Sequence, residues 1–163
     1  MQLAKPTLNT VRRTKRRAIS LAESEQVQIK PLFDEPEGPL LVKAQAPGID
    51  LATWSEGRLE QLNALLYRHG TILYRGFAVN EDKDFVNYLE SLPYEPIGYL
   101  ERSTPRKEVA KHIYTSTVFP PEETIALHNE NSASLIVARR LWFYCAKPSV
   151  SGGETPIADS REI

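Results

Sequence analysis

Ile125-Ala126-Leu127-His128-Asn129-Glu130 (IALHNE) ends an apolar stretch with an imidazole and a carboxylate two positions apart. In extended backbone, residues i and i+2 point to the same face, so His128 and Glu130 can converge on one cation without a helix. Imidazole plus carboxylate suits Fe(II), Mn(II) or Zn(II), and a mononuclear non-haem iron site takes two His and one carboxylate with positions left open. The triplet alone has a second reading, a strand-end His and Glu that are hydrogen-bonded or solvated. Thr155 stands 27 positions after His128, within Ser151-Gly152-Gly153-Glu154-Thr155-Pro156. Two glycines permit a tight turn, and the Thr155 hydroxyl at its edge can bind a ligand carboxylate; an ordinary hairpin is the alternative. No Gly-Lys-Ser/Thr follows, so this is not a P-loop.

Working outward, the chain divides into two characters. Residues 31–48 hold Pro31, Pro36, Pro39 and Pro47 with Gly38 and Gly48, which reads as an extended lead-in rather than a helix or a central strand. Leu59, Leu62, Leu65 and Leu66 recur at helical spacing up to the stop at Gly70. Thr71–Phe77 (TILYRGF) predicts a short buried strand. A second helix is signalled by Asn80 as cap, acids at 81 and 82, and Phe85, Val86 and Leu89 as its apolar stripe, with Pro93 as its stop. Beyond residue 108, Val109–Thr117, Thr124–His128 and Leu141–Cys145 are rich in β-branched and aromatic residues and predict short strands. Asp159-Ser160-Arg161-Glu162 has the spacing of a capping box with only Ile163 after it, which predicts that the chain is the front part of something longer.

Composition excludes less. At 41% hydrophobic and 25% charged residues the chain reads as an ordinary soluble protein, and a cytoplasmic one, since its N-terminus has no apolar run. Its longest apolar stretch, around Ala133–Ala138, is too short for a membrane span. The single Cys145 excludes an internal disulfide and a four-thiol zinc site; it reads as a buried thiol. The formal charge of −1 hides an asymmetry: six bases and no acid fall within residues 1–22. This basic arm, taken as residues 1–30, precedes an acidic body that would repel nucleic-acid phosphates, and no aromatic interleaves with its charges. Neither nucleic acid nor membrane is an expected partner. His69 reads as a structural residue at a helix end, His112 as a strand residue, and Arg75 as either an anion contact or one half of an ion pair.

Together, Arg75-Gly76-Phe77, Tyr114-Thr115-Ser116-Thr117, IALHNE, Phe143-Tyr144-Cys145 and Gly152–Asp159 (GGETPIAD) resemble the TauD/TfdA family of Fe(II)- and 2-oxoglutarate-dependent dioxygenases, especially its SyrP-like branch of nonribosomal peptide biosynthesis. The resemblance implies an α+β fold in which N-terminal helices precede an incomplete double-stranded β-helix (a jelly-roll, clavaminate synthase-like), with residues 31–163 its N-terminal portion. It implies His128 and Glu130 as iron ligands, Thr155 as a contact to 2-oxoglutarate, and Asn129, Asn131 and Ser132 on the substrate side. The implied substrate is an amino acid, free or bound to a carrier protein. The family's second His ligand and its 2-oxoglutarate-binding Arg lie well downstream of the GGxT motif and have no counterpart here; both His69 and His112 precede it. Ser132-Ala133 stands where close relatives have Ser-Tyr. A missing C-terminal portion or an oligomer would have to complete the site, and the alternative is a non-catalytic interaction module on the same framework.

Overall fold

The computed structural model describes residues 26–98, 106–116, 120, 122–130, 132 and 134–162. The basic arm within 1–22, Asn131, Ala133 and Thr117 lie outside the described residues.

Three strands form a mixed sheet in the order β1-β2-β3: β1 (Val27–Pro31), β2 (Leu40–Ala44) and β3 (Ile72–Arg75). β1 pairs antiparallel with β2, setting Ile29 opposite Val42, and β2 runs parallel to β3, setting Val42 opposite Tyr74. Residues 31–48 thus do contain a central strand, against the expectation of an extended lead-in. Its prolines explain how: Pro39 and Pro47 flank β2 without entering it, so every position of Leu40–Ala44 keeps its N–H for the ladder. Leu40, Val42 and Ala44 are buried on one face, the period-2 signature of a half-buried strand. The first strand takes in positions 27–30 of the segment assigned to the arm. It is an edge strand, exposed beyond Val27, and there Pro31 is tolerated.

A parallel pair cannot be closed by a tight hairpin. Residues 45–71 supply the crossover with α1 (Leu51–Ser55) and α2 (Leu59–His69). Asp50 starts α1, its carboxylate accepting from the Thr53 N–H at 2.7 Å, which holds its pKa below the usual carboxylate value. Arg58 closes α1 by donating to the Trp54 carbonyl at 2.8 Å. As expected, α2 ends at Gly70, whose φ of 70° no β-carbon disfavours. The strand expected in TILYRGF is present as β3, half-buried rather than buried. α3 (Asp82–Ser91) is capped by Glu81 rather than Asn80. Asp84 explains the shift, because its carboxylate accepts from the backbone N–H groups of both Asn80 and Glu81. Its buried contact is made by Tyr88, with Leu92 just past the end, rather than by Phe85.

Val27, Val42, Leu51, Trp54, Leu62, Tyr88 and Leu92 form one apolar core between the sheet and the helices. Phe77 packs against it, its ring tilted on Trp54 at 5.3 Å, and Tyr74 meets Tyr88 at 6.5 Å. Burial pushes the Tyr74 hydroxyl pKa well up.

The C-terminal half departs furthest from expectation. Val109–Thr117 is reduced to a hairpin of β4 (Glu108–Ala110) and β5 (Ile113–Tyr114). Thr124–His128 and Leu141–Cys145 are not strands, and a double-stranded β-helix is not formed among the described residues. The pattern in 141–145 is nevertheless a strand's: Trp142 and Tyr144 are half-buried while Leu141, Phe143 and Cys145 are exposed. Among the described residues this segment has no ladder partner to take up its N–H and C=O groups. The same alternation puts Cys145 outside, correcting the buried thiol. Side chains attach the segment instead. Tyr144 stacks on Phe85 at 5.4 Å, Trp142 meets Tyr94 at 5.8 Å, and the Arg140 guanidinium lies 4.4 Å from the Tyr94 ring. Asp159–Glu162 is a turn, not a helix start. Asp159 binds the guanidinium of Arg161, which donates to the Tyr67 and Arg68 carbonyls at 2.9 and 3.3 Å and so caps α2.

Leu62→Ala is expected to cost about 2–5 kcal/mol as a core truncation. Leu135→Ala, at a fully exposed leucine, is expected to stay within about 0.5 kcal/mol. Urea unfolding of the two variants checks both.

Candidate metal centre

His128 and Glu130 end a stretch of irregular backbone whose residues 122–129 are exposed. The imidazole Nδ1 of His128 lies 2.8 Å from the Ala126 carbonyl. A carbonyl accepts, so the neutral ring that makes this bond carries its proton on Nδ1 and leaves Nε2 for a metal. Glu130 is more enclosed. Its carboxylate oxygen Oε1 lies 3.2 Å from Nη2 of Arg106, with the two side chains 18% and 23% exposed. Arg106 immediately precedes the β4–β5 hairpin, which is anchored beside it where Lys107 and Thr115 exchange hydrogen bonds: the Thr115 N–H to the Lys107 carbonyl at 2.9 Å and the Lys107 N–H to the Thr115 hydroxyl at 3.1 Å. Nothing in residue spacing pointed to Arg106, which lies 24 positions from Glu130.

The glycine pair turns as expected. Gly152 and Gly153 have φ of 67° and 83°, both in the left-handed region that favours glycine. Ser149 braces the turn by donating its hydroxyl to the Gly152 carbonyl. A β-carbon on Gly153 would fall 2.2 Å from that hydroxyl oxygen. Thr155, Asn129 and Ser132 are all exposed.

The other histidines stand apart. His69 is buried at the end of α2 with Nδ1 3.0 Å from the Gly38 carbonyl, the structural role expected. His112 is not in a strand: it occupies the turn between β4 and β5 at φ 61°. Its backbone N–H donates to the Glu108 carboxylate at 2.9 Å, which holds this strained position. Arg75 is exposed at the end of β3.

The profile of the taurine catabolism dioxygenase TauD, TfdA family matches residues 29–163. The chain belongs to the TauD/TfdA family. Two TauD/TfdA relatives are similar to it. The dapdiamide synthesis protein DdaC of Enterobacter agglomerans is 36% identical over 131 residues, covering 77% of this chain and 40% of DdaC. A clavaminate synthase-like protein of Arabidopsis thaliana is 33% identical over 102 residues, covering 63% of this chain and 31% of that protein. The chain thus spans well under half the length of these relatives. TauD/TfdA enzymes are 2-oxoglutarate-dependent dioxygenases with a jelly-roll fold, and they generally use Fe(II). The donor types for iron are present here, but as placed they do not make its site. Glu130 is engaged by Arg106, and among the described residues no three His, Cys, Asp or Glu side chains come together to hold a metal ion. No described helix is long and apolar enough to cross a membrane.

The Arg161 guanidinium and backbone N–H hold Asp159 at a pKa of about 2, against an ordinary 3.8. Because the folded value is depressed, what this turn adds to stability is present above pH 4 and lost as pH falls towards 2. In Arg161→Ala the Asp159 carboxyl is expected to titrate in its ordinary range, read by carbon-13 NMR.

Proposed function

We propose that this chain carries the first part of an Fe(II)- and 2-oxoglutarate-dependent oxygenase domain that hydroxylates an amino acid, free or carrier-bound, in nonribosomal peptide or other secondary metabolism. The observation that carries this reading is the family match across residues 29–163, which takes in both the His128-Asn129-Glu130 triplet and the Gly152-Gly153-Glu154-Thr155 turn. The role of DdaC as a dapdiamide synthesis protein supports the metabolic setting. Iron and 2-oxoglutarate supply the oxygen chemistry in such enzymes. In this reading His128 offers Nε2 and Glu130 a carboxylate oxygen to the metal, the donor types that suit iron. The Thr155 hydroxyl donates to a carboxylate of 2-oxoglutarate from a turn whose glycines fix its backbone. Asn129, Asn131 and Ser132 face the substrate with amide and hydroxyl groups that can both donate and accept.

Two protein donors leave the ligand set of such a site one short. The remaining ligand and the arginine that pairs with 2-oxoglutarate belong, in this reading, to sequence or to a polypeptide beyond these 163 residues. A second reading, a non-catalytic interaction module, is favoured by the commitment of Glu130 to Arg106.

The 163-residue chain alone is expected to form no succinate from 2-oxoglutarate with Fe(II) and oxygen; clear turnover would show that these residues suffice. Reading the gene past codon 163 separates the two functions. An in-frame His followed by an Arg is the expected outcome, and a stop codon with neither assigns the chain to the module.

A further inference from the structure

We propose that Arg106 is a latch on Glu130, and that a divalent cation can use this carboxylate only after the guanidinium has been displaced. The inference rests on the reading of Glu130 as a metal ligand and goes beyond it by naming the group that controls access. The pair is the most enclosed of the described ion pairs, with side chains 23% and 18% exposed. Arg68–Glu37, Lys83–Glu81 and Arg161–Asp159 are more open. A half-buried pair is screened less by solvent and salt than a surface pair, so it holds its carboxylate more firmly.

The two proposed donors are in opposite states. His128 is exposed and turned by the Ala126 carbonyl so that Nε2 is left for a metal, whereas Glu130 is held by an existing cation. Glu130 lies in no strand among the described residues, and the contact to Arg106 reaches its carboxylate across 24 positions. The Arg106 backbone is in turn anchored beside the β4–β5 hairpin through Lys107 and Thr115. A guanidinium does not lose its proton in a protein. It therefore repels an incoming cation at every accessible pH, and only rotation of the side chain releases the carboxylate.

The test is Mn(II) titration of the full chain, followed by electron paramagnetic resonance, with Co(II) absorption as a second signature. Arg106→Met is expected to tighten Mn(II) binding at least tenfold over the unsubstituted chain and to raise the Co(II) ligand-field bands. Arg106→Lys, which keeps the charge, should stay near the starting affinity. Arg106→Gln, which keeps hydrogen bonding without charge, should follow Met and serves if Met impairs folding by circular dichroism. Binding that is unchanged, weakened or unmeasurable in both neutral variants overturns the latch. Adding Glu130→Gln should erase the gain; a gain that survives it overturns the latch and the ligand assignment of Glu130 together. If the gain is lost with Glu130→Gln but survives His128→Ala, the latch stands and the assignment of His128 fails.

Discussion

The parallel pairing of β2 with β3 is the constraint on which the rest of the described structure depends. It fixes Leu40–Ala44 as the middle of the sheet and obliges residues 45–71 to cross from one end of the pair to the other. α1 and α2 make that crossing, and their apolar residues Leu51, Trp54 and Leu62 are buried because it lays them over Val42. α3 then adds Tyr88 to the same cluster. Among the described residues burial is concentrated here, between Val27 and Leu92, where backbone ladders and side-chain packing reinforce each other. Beyond Thr115 the described residues form no further ladder, and side-chain contacts tie them to the sheet and helices.

Local signals were legible where the chain makes its own structure. The leucine spacing and Gly70 marked α2, Pro93 marked the end of α3, and Gly152-Gly153 marked a turn; in each case the deciding atoms lie within a few residues. Signals failed where the outcome depended on distant partners. The prolines around Leu40–Ala44 obscured a central strand, because being central is decided by neighbours at 27–31 and 72–75. Leu141–Cys145, predicted a strand from its aromatic and apolar content, keeps a strand's alternation of burial, but a strand is a paired object and among the described residues nothing pairs with it. The capping-box spacing at Asp159 predicted a helix cap, but its carboxylate instead holds Arg161, itself bound to α2, and that is not written in four residues.

The candidate site shows the same division. His128, Glu130 and Thr155 were readable as chemistry, since imidazole, carboxylate and hydroxyl announce what they can bind. Their surroundings were not, because the Glu130 carboxylate is paired with Arg106, which no motif includes. A sequence motif names the donors of a site, while the charges around them decide whether those donors are available.

The ties made by Arg161 have one more consequence. Its contacts to Tyr67 and Arg68 span 94 and 93 positions, far beyond the separations within the sheet. Closing so long a loop costs chain entropy that a pair of solvent-accessible hydrogen bonds repays poorly. In the order of folding, sheet and helices therefore come first, and this charged clasp fastens last onto a core already formed. The stretch that carries the Gly152-Gly153 turn and Thr155 is consequently expected to find its place after the sheet and helices and to let go before them.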